Sequence, residues 1–194
     1  MTISVYIATS IDGYIAERDG GIDFLETVPT PEGDDLGYGD FMADIDAVVM
    51  GRGTFETVVG FDIGWPYPVP GIVLSSTLKK LPEGFPAHVT LASGKPQKIV
   101  ALAAAQNWFN LYIDGGVTIQ RFLKEDLIDR LILTEIPILL GDGVPLFGEH
   151  NNHLVFELEK VETTGGPLVK RFYRRSERKG CCRPCSHGSG SRSS

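Results

Sequence analysis

The sequence of 194 residues lacks the features that mark secreted, disulfide-bonded and membrane-spanning chains. Its three cysteines, Cys181, Cys182 and Cys185, all lie in the last 14 residues, so the rest has no disulfide framework and suits a reducing compartment. No apolar run reaches the roughly 18 residues that a membrane-spanning helix needs. No basic region precedes an apolar stretch at the N-terminus, as a secretory signal requires. We therefore expect a cytoplasmic protein with no membrane partner.

Positive charge is scarce in most of the chain. The formal net charge is −7, from 18 basic and 25 acidic residues. From Ser176 onward four bases accompany one acid, which leaves residues 1–175 with a net charge of −10. Because an acidic surface repels a phosphate backbone, we expect no nucleic-acid partner. A local basic pocket for a phosphorylated small molecule remains compatible with this balance.

The segment 176–194 differs in kind from the residues before it. It consists largely of Ser, Gly, Arg and Cys with almost no apolar residue, so burial cannot offset the entropy lost on ordering. Its three cysteines and His187 lack the two separated ligand pairs of a structural zinc site, so we predict no metal there. The chain thus divides into a folded domain at 1–175 and a disordered tail at 176–194.

Residues 1–175 alternate between segments typical of strands and segments typical of helices. Apolar, β-branched runs predict strands at 3–9, 47–50, 71–75, 88–92, 111–113, 130–140, 154–161 and 168–174. Helical patterns fall at 41–44, 54–59, 96–108 and 117–126. This alternation predicts an α/β sheet covered on both faces. The glycine-containing turn between the last two strands predicts a C-terminal antiparallel hairpin, and hence a mixed sheet.

Glycines and small polar residues follow four of the predicted strands. In open α/β sheets, ligands bind beyond the carboxyl ends of the strands, so these junctions are candidate binding positions. A glycine lets the backbone approach a phosphate, a helix N-terminus favours negative charge, and Arg52 adds a guanidinium. The junctions are residues 8–13, 50–54, 74–77 and 113–118.

Motifs for nucleophilic or simple nucleotide chemistry are missing. The chain has no Gly-Lys-Ser/Thr of a Walker loop, no Gly-x-Gly-x-x-Gly and no Gly-x-Ser-x-Gly. Its four histidines form no metal-binding pair on a helix. The absence of these motifs from the sequence favours chemistry whose reactive group comes from a cofactor.

The strand-end motifs resemble those of the dihydrofolate reductase fold. Residues 50–56 (Met-Gly-Arg-Gly-Thr-Phe-Glu) resemble its Gly-Arg-x-Thr-aromatic-Glu segment, residues 114–116 its glycine pair and residues 133–136 its Leu-Thr-x-Ile strand. The opening at 8–16 and the closing segment at 137–147 are more similar to the branch typified by the C-terminal reductase domain of the riboflavin-pathway deaminase-reductase. The resemblance implies a three-layer αβα sandwich with a mixed, mostly parallel sheet, and an NADPH-dependent reductase.

The resemblance also implies where NADPH and a substrate would bind. Ser76, Thr77 or Lys79 would lie near the adenosine 2′-phosphate, and Asp12 and Thr134 would contact substrate. The full set of implied cofactor positions is Ala8, Thr9, Gly51, Arg52, Gly53, Thr54, Ser75, Ser76, Thr77, Gly115, Gly116, Val117 and Thr118.

A hydride acceptor, C=N or C=O, often needs a proton source as well. The family's spacing places a helix acid at Asp35 or Asp40, and Asp12 is a third candidate beside the implied nicotinamide. Asp35 and Asp40 fit equally a solvated, glycine-rich loop over 33–40. For Asp12, which precedes Gly13, the alternative to a catalytic role is that its side chain stabilises a turn.

The leading functional prediction is an NADPH-dependent reductase acting on a small planar or heterocyclic substrate. The alternatives are 5-amino-6-(5-phosphoribosylamino)uracil reductase in riboflavin biosynthesis and a nucleotide-binding protein without turnover. Branch members are often homodimers, and apolar strand residues Leu154, Phe156 and Leu158 offer an interface. The aromatic stretch 61–68 predicts either a lid over the substrate or a connection packed by its own rings.

Overall fold

Residues 1–29, 33–61, 63–149, 153–163 and 166–176 are described by the computed structural model. Their strands are β1 (Thr2–Ser10), β2 (Tyr14–Ala16), β3 (Ala47–Gly51), β4 (Gly71–Leu74), β5 (Val89–Ala92), β6 (Asn110–Asp114), β7 (Arg130–Ile136), β8 (Val144–Pro145), β9 (Phe156–Thr163) and β10 (Val169–Arg175). The helices are α1 (Tyr38–Ala43), α2 (Arg52–Gly60), α3 (Pro96–Ala105) and α4 (Gly116–Lys124), with a 3₁₀ turn at Asp23–Thr27. The predicted disordered tail, with its cysteines and His187, lies outside the described residues from 177 onward.

Eight of these strands form one mixed sheet in the order β5-β4-β3-β6-β1-β7-β10-β9. Each neighbouring pair from β5 to β7 is parallel, while β10 runs antiparallel to both β7 and β9. Strands β2 and β8 form a small antiparallel sheet of their own. The predicted mixed, mostly parallel sheet with a C-terminal antiparallel hairpin is confirmed. All six parallel strands end at one edge.

Two of the three buried hydrophobic clusters, one on each face of the sheet, make the fold a three-layer structure. One core joins the strands to Ile99 of α3 and Phe122 of α4, and includes Val49 of β3. The other joins Met50, the next residue of β3, to Phe55 of α2 and to α1. Because successive strand side chains point to opposite faces, α3 and α4 cover one face of the sheet and α1 and α2 the other. This arrangement is the predicted αβα sandwich.

The strand predicted at 130–140 ends at Ile136. Pro137 follows, and a proline cannot donate to a strand ladder. The chain beyond it contacts the turn after β1, since Ile11 N donates to Ile138 O at 2.9 Å. Strands β2 and β8 have three and two residues, too few to show a periodic pattern.

Helix α1 begins at Tyr38, inside the stretch 33–40. The alternative prediction for this stretch, a solvated loop, therefore does not hold for its last residues. The carboxylate of Asp35 accepts hydrogen bonds from Gly37 N (2.8 Å) and Gly39 N (2.7 Å) and so caps the helix. Across the described ranges, no helix is both long and apolar enough to span a bilayer.

Candidate active site

The strand ends that the sequence singles out meet at one edge of the sheet. Strands β4, β3, β6 and β1 are consecutive neighbours, so the junctions that follow them lie side by side. Thr9, Gly116 and Thr118 are buried there, whereas the side chains of Arg52, Ser76, Thr77 and Val117 are exposed. The structure therefore brings the implied cofactor residues together, with several of them open to a ligand.

Two glycines at this edge lie against threonine hydroxyls. A Cβ on Gly51 would lie 2.9 Å from Thr118 Oγ1, and a Cβ on Gly115 would overlap Thr54 Oγ1. Gly115 also has φ +86°, a left-handed conformation that favours glycine. Helices α2 and α4 begin at the next residues, so the backbone N–H groups of two helix N-termini face this edge. We call the region of Gly51, Thr54, Gly115 and Thr118 the glycine cradle.

A cavity of about 450 Å³ adjoins the ends of β4 and β5 and is rich in positive charge. Arg52 donates to Thr77 Oγ1 at 2.9 Å and pairs with Glu56 at 2.7 Å, while Arg121 donates to Gly94 O at 2.6 Å. The residues that line this cationic cavity are Arg52, Leu74, Ser75, Ser76, Thr77, Ser93, Gly94, Lys95 and Arg121. None of these described lining residues is acidic, so the cavity suits an anion such as a phosphate.

Two of the three bases in this cavity were not predicted from the sequence. Lys95 precedes α3 and Arg121 lies inside α4, so neither belongs to a strand-end motif. Lys79, which was expected near the 2′-phosphate, is not among the residues that line the cavity. The only sequence signal for Lys95 is its place directly after Ser93-Gly94, at the end of β5.

Asp12 holds a turn together. Its carboxylate accepts hydrogen bonds from Ser10 Oγ (2.6 Å), Gly141 N (2.8 Å) and Leu140 N (3.2 Å), and so fixes the turn after β1 to the segment after β7. The Ser10 hydroxyl and the backbone donors lower the pKa of Asp12. A carboxylate that stays ionised is a poor proton donor. These contacts favour the turn-stabilising alternative, and the catalytic and substrate roles of Asp12 stay predictions.

The roles of Asp35 and Asp40 as proton donors also stay predictions. The backbone N–H groups of Gly39 and Gly37 lower the pKa of Asp35, which again favours the ionised form. Asp40 lies within α1, is exposed, and lines a second cavity described below. No cluster of three His, Cys, Asp or Glu in the described ranges is arranged to hold a metal ion.

Asp114, at the end of β6 beside Gly115, is an acid that the sequence analysis did not consider as a candidate donor. It accepts hydrogen bonds from Tyr67 Oη (3.1 Å) and Gly115 N (2.8 Å). Burial raises the pKa of Asp114 and is opposed by these hydrogen bonds. Asp114 lines neither the cationic cavity nor the cavity that Asp40 lines.

The substitution Asp114→Asn should stabilise the protein more at about pH 7 than at about pH 3. The folded wild type binds the Asp114 proton more tightly than the unfolded chain, so its stability falls as pH rises above the unfolded pKa of about 3.9. Asparagine does not titrate and avoids this loss. Urea midpoints of both proteins at the two pH values measure the effect, and a difference that is constant with pH would contradict it.

The aromatic stretch after α2 packs on itself. The rings of Trp65 and Tyr67 lie 4.8 Å apart, and Trp65 Nε1 donates to Val69 O at 2.9 Å. These contacts favour the packed connection over the lid, although residue 62 lies outside the described residues.

A row of residues crosses the sheet from the implied cofactor site to the C-terminal hairpin. Ala8 of β1 is in register with Thr134 of β7, and Thr134 is in register with Lys170 of β10. Lys170 is only 3% exposed, and its Nζ donates to Tyr6 Oη at 3.0 Å. Tyr6 Oη in turn donates to Leu36 O at 2.6 Å. The sequence analysis missed Lys170 because a lysine in a terminal strand is ordinarily solvated.

The sheet order and the helices that cover it are those of the dihydrofolate reductase-like fold. The dihydrofolate reductase of Enterococcus faecalis, solved with NADP(H), aligns with a TM-score of 0.58 and 20% identity, over 91% of this chain and 97% of that one. More narrowly, residues 1–170 match the family model described as the RibD C-terminal domain. The chain belongs to this family, which confirms the resemblance seen in the sequence and supports a reductase-like role.

Two relatives align with most of the chain. A putative riboflavin biosynthesis protein from Shewanella sp. PV-4 has a crystal structure that aligns with a TM-score of 0.87 and 47% identity, over 91% of this chain and 100% of that one. The uncharacterized protein YwjB of Bacillus subtilis is 34% identical over 172 residues, which are 88% of this chain and 96% of the relative.

Proposed function

We propose that the protein is an NADPH-dependent reductase that transfers a hydride to a small planar or heterocyclic substrate. The observation that carries the proposal is the cationic cavity beside the glycine cradle. NADPH has two separate anionic parts, a pyrophosphate and a 2′-phosphate, and the two regions offer a position for each. The nicotinamide would supply the hydride, while the chain binds and orients both reactants.

The residues that line the two regions fit this cofactor. The glycine cradle leaves the backbone open at Gly115 and directs the N-termini of α2 and α4 to one edge, which suits the pyrophosphate. Arg52, Lys95 and Arg121 would bind the 2′-phosphate with charge-assisted hydrogen bonds. Across the sheet, the row of Ala8 and Thr134 would bring the substrate against the nicotinamide.

A second candidate is the reduction of 5-amino-6-(5-phosphoribosylamino)uracil. It is supported by the family match and by the name of the Shewanella relative, a putative riboflavin biosynthesis protein. A panel of pteridines, pyrimidines and flavins, followed by NADPH oxidation, separates this substrate from other planar heterocycles. A nucleotide-binding protein without turnover would bind NADPH and oxidise it with none of them.

Titration of the protein with NADPH and with NADH tests the cofactor assignment. We expect NADPH to bind much more tightly, and Arg121→Ala to weaken NADPH by about 10-fold or more while NADH changes little, because one charge-assisted bond contributes about 1.5–3 kcal/mol. Lys124→Ala is the matched control on the same helix, because Lys124 does not line the cavity. Calorimetry gives the affinities. Equal affinity of the wild type for both nucleotides would contradict the assignment of the 2′-phosphate site. Failure to bind either nucleotide would contradict the reductase proposal.

The homodimer and the cytoplasmic location stay predictions. Strand β9 supports the homodimer prediction, because it is the edge of the main sheet and its Leu158 and Val161 are more than half exposed. An edge strand with exposed apolar side chains is a surface that a second chain can cover.

A further inference from the structure

A groove of about 730 Å³ lies on the face of the sheet that carries α1, and it shares no lining residue with the cationic cavity. Its floor includes Tyr6 of β1, Ile132 of β7 and Lys170 of β10, and α1 supplies Asp40 and Phe41. Small-molecule sites commonly have volumes of about 300–1,000 Å³. The groove is therefore large enough for a heterocyclic substrate.

Lys170 is the unusual residue of this groove. A lysine is rarely buried without an anionic partner, yet Lys170 forms none of the ion pairs found among the described residues. Its hydrogen bond to Tyr6 Oη uses one of the three ammonium protons. Its Nζ also lies 5.2 Å from the centre of the Tyr6 ring. The ammonium is thus held in one place, with donor capacity left for a ligand in the groove.

The register of the sheet connects this ammonium with the proposed reaction. Lys170 is the next residue along the row that runs from Ala8 through Thr134, the implied cofactor and substrate positions. The same end of the groove carries Tyr6, two residues before Ala8 on the same face of β1. Of this row, Lys170 lines the groove and Thr134 does not, so a ligand in the groove that contacts Lys170 lies one strand away from Thr134.

Three of the acids near the site are poorly suited to supply a proton, while Asp40, which lines the groove, stays the alternative predicted donor. Asp12 and Asp35 accept hydrogen bonds that favour their ionised forms. Asp114 is hydrogen-bonded to Tyr67 and Gly115 and does not line the groove. Lys170 differs from all three, because it carries protons and lines a cavity that can hold a substrate.

We propose that Lys170 donates the proton of the reduction to a substrate whose C=N or C=O heteroatom accepts a hydrogen bond from its ammonium. This inference rests on the proposed NADPH-dependent reductase. The substrate carbon gains the hydride with its electron pair, the π bond breaks, and its electrons form a new bond from the heteroatom to a proton of Nζ. The N–H bond of Lys170 breaks to leave a neutral amine, which takes a proton from water, and NADPH becomes NADP⁺.

Some groups around Lys170 lower its pKa and others raise it. Burial lowers the pKa of Lys170, and Lys160 of β9 adds to the decrease. Glu162 of β9 and the loop acids Asp34 and Asp35 raise it, while Tyr6 of β1 is the hydrogen-bond partner. The lowered pKa makes the ammonium a readier proton donor near neutrality than an ordinary lysine. The reaction rate should therefore fall, as pH rises, below the pH at which an ordinary lysine titrates, about 10.4.

The experiment compares Lys170→Met and Lys170→Arg with the wild type, using NADPH and a panel of planar cyclic imines and ketones as acceptors. Methionine keeps the packing against the Tyr6 and Phe172 rings, so the fold should persist, as circular dichroism checks. We expect Lys170→Met to bind NADPH normally, to lose at least about 100-fold in kcat and to lose the alkaline fall in rate. Lys170→Arg should also lose kcat, with KM less affected, because a guanidinium keeps its proton. Lys98→Met, an exposed position on α3, is the control and should behave as the wild type.

The outcomes separate this inference from the function on which it rests. Full activity of Lys170→Arg would mean that only the positive charge matters, and would overturn proton donation. A Lys170→Met protein with the kcat and pH dependence of the wild type would also overturn proton donation. The same holds if the wild-type protein binds NADPH but oxidises it with no acceptor of the panel. Wild-type protein that does not bind NADPH would overturn the proposed function itself, before any Lys170 variant is compared.

Discussion

The substitution Gly115→Ala should reduce the affinity for NADPH by at least about 100-fold, or about 2.7 kcal/mol. An alanine Cβ would overlap Thr54 Oγ1, and both residues belong to the glycine cradle. The residue would also have to keep φ +86°, which costs a non-glycine residue about 1–2 kcal/mol. Relief of the overlap moves either Thr54 at the start of α2 or the start of α4. Either movement displaces the backbone N–H groups proposed for the pyrophosphate.

Calorimetric titration of Gly115→Ala with NADPH measures this loss, and urea unfolding measures the accompanying loss of stability, expected at about 2–4 kcal/mol. Gly60→Ala is the matched control, because a Cβ at Gly60, the last residue of α2, meets nothing within 4 Å. It should leave affinity unchanged and stability unchanged or slightly higher, since alanine is the better helix former. A Gly115→Ala protein with wild-type affinity would show that the pyrophosphate does not lie in the cradle.

The parallel half of the sheet was predictable because its strands are buried on both faces. Such strands appear in a sequence as short, almost continuous apolar runs, as Ala47–Gly51 and Gly71–Leu74 do. The small sheet of β2 and β8 was not predictable, because its pairing depends on a contact between distant segments. Helix α1 was predicted only at its end, at 41–44, for a related reason, since it has six residues and its start depends on the hydrogen bond to Asp35 and on packing against the sheet.

The residues of the candidate site also divide into those that the sequence predicts and those that it does not. Its glycines and Arg52 follow strands directly, so the sheet topology alone places them together. Arg121 enters the cationic cavity because α4 lies beside Gly94, which is 27 positions away in sequence. Lys170 meets Tyr6 across 164 positions. Neither contact follows from a local motif, and both involve side chains that a sequence pattern assigns to solvent.

Two adjacent arginines at the end of β10 should differ sharply in their contribution to stability. Arg175, whose side chain is 11% exposed, binds Asp126 through Nε (2.7 Å) and Nη2 (3.2 Å) and donates from Nη1 to Val155 O at 2.7 Å. It thereby joins the end of the domain to the connection after α4 and to the chain before β9. Arg174, whose side chain is 62% exposed, makes a surface ion pair with Glu159 at 2.8 Å.

We expect Arg175→Met to lower the free energy of unfolding by about 2–3 kcal/mol, because it leaves the partly buried Asp126 without its guanidinium and frees the Val155 carbonyl. Arg174→Met should cost less than about 1 kcal/mol, as exposed pairs generally do. Urea denaturation of the two variants makes the comparison at constant charge and composition. Equal losses would show that Arg175 does not anchor the last strand. A larger loss for Arg175 alone would show that Arg175 anchors the last strand, and would support the predicted boundary at 175.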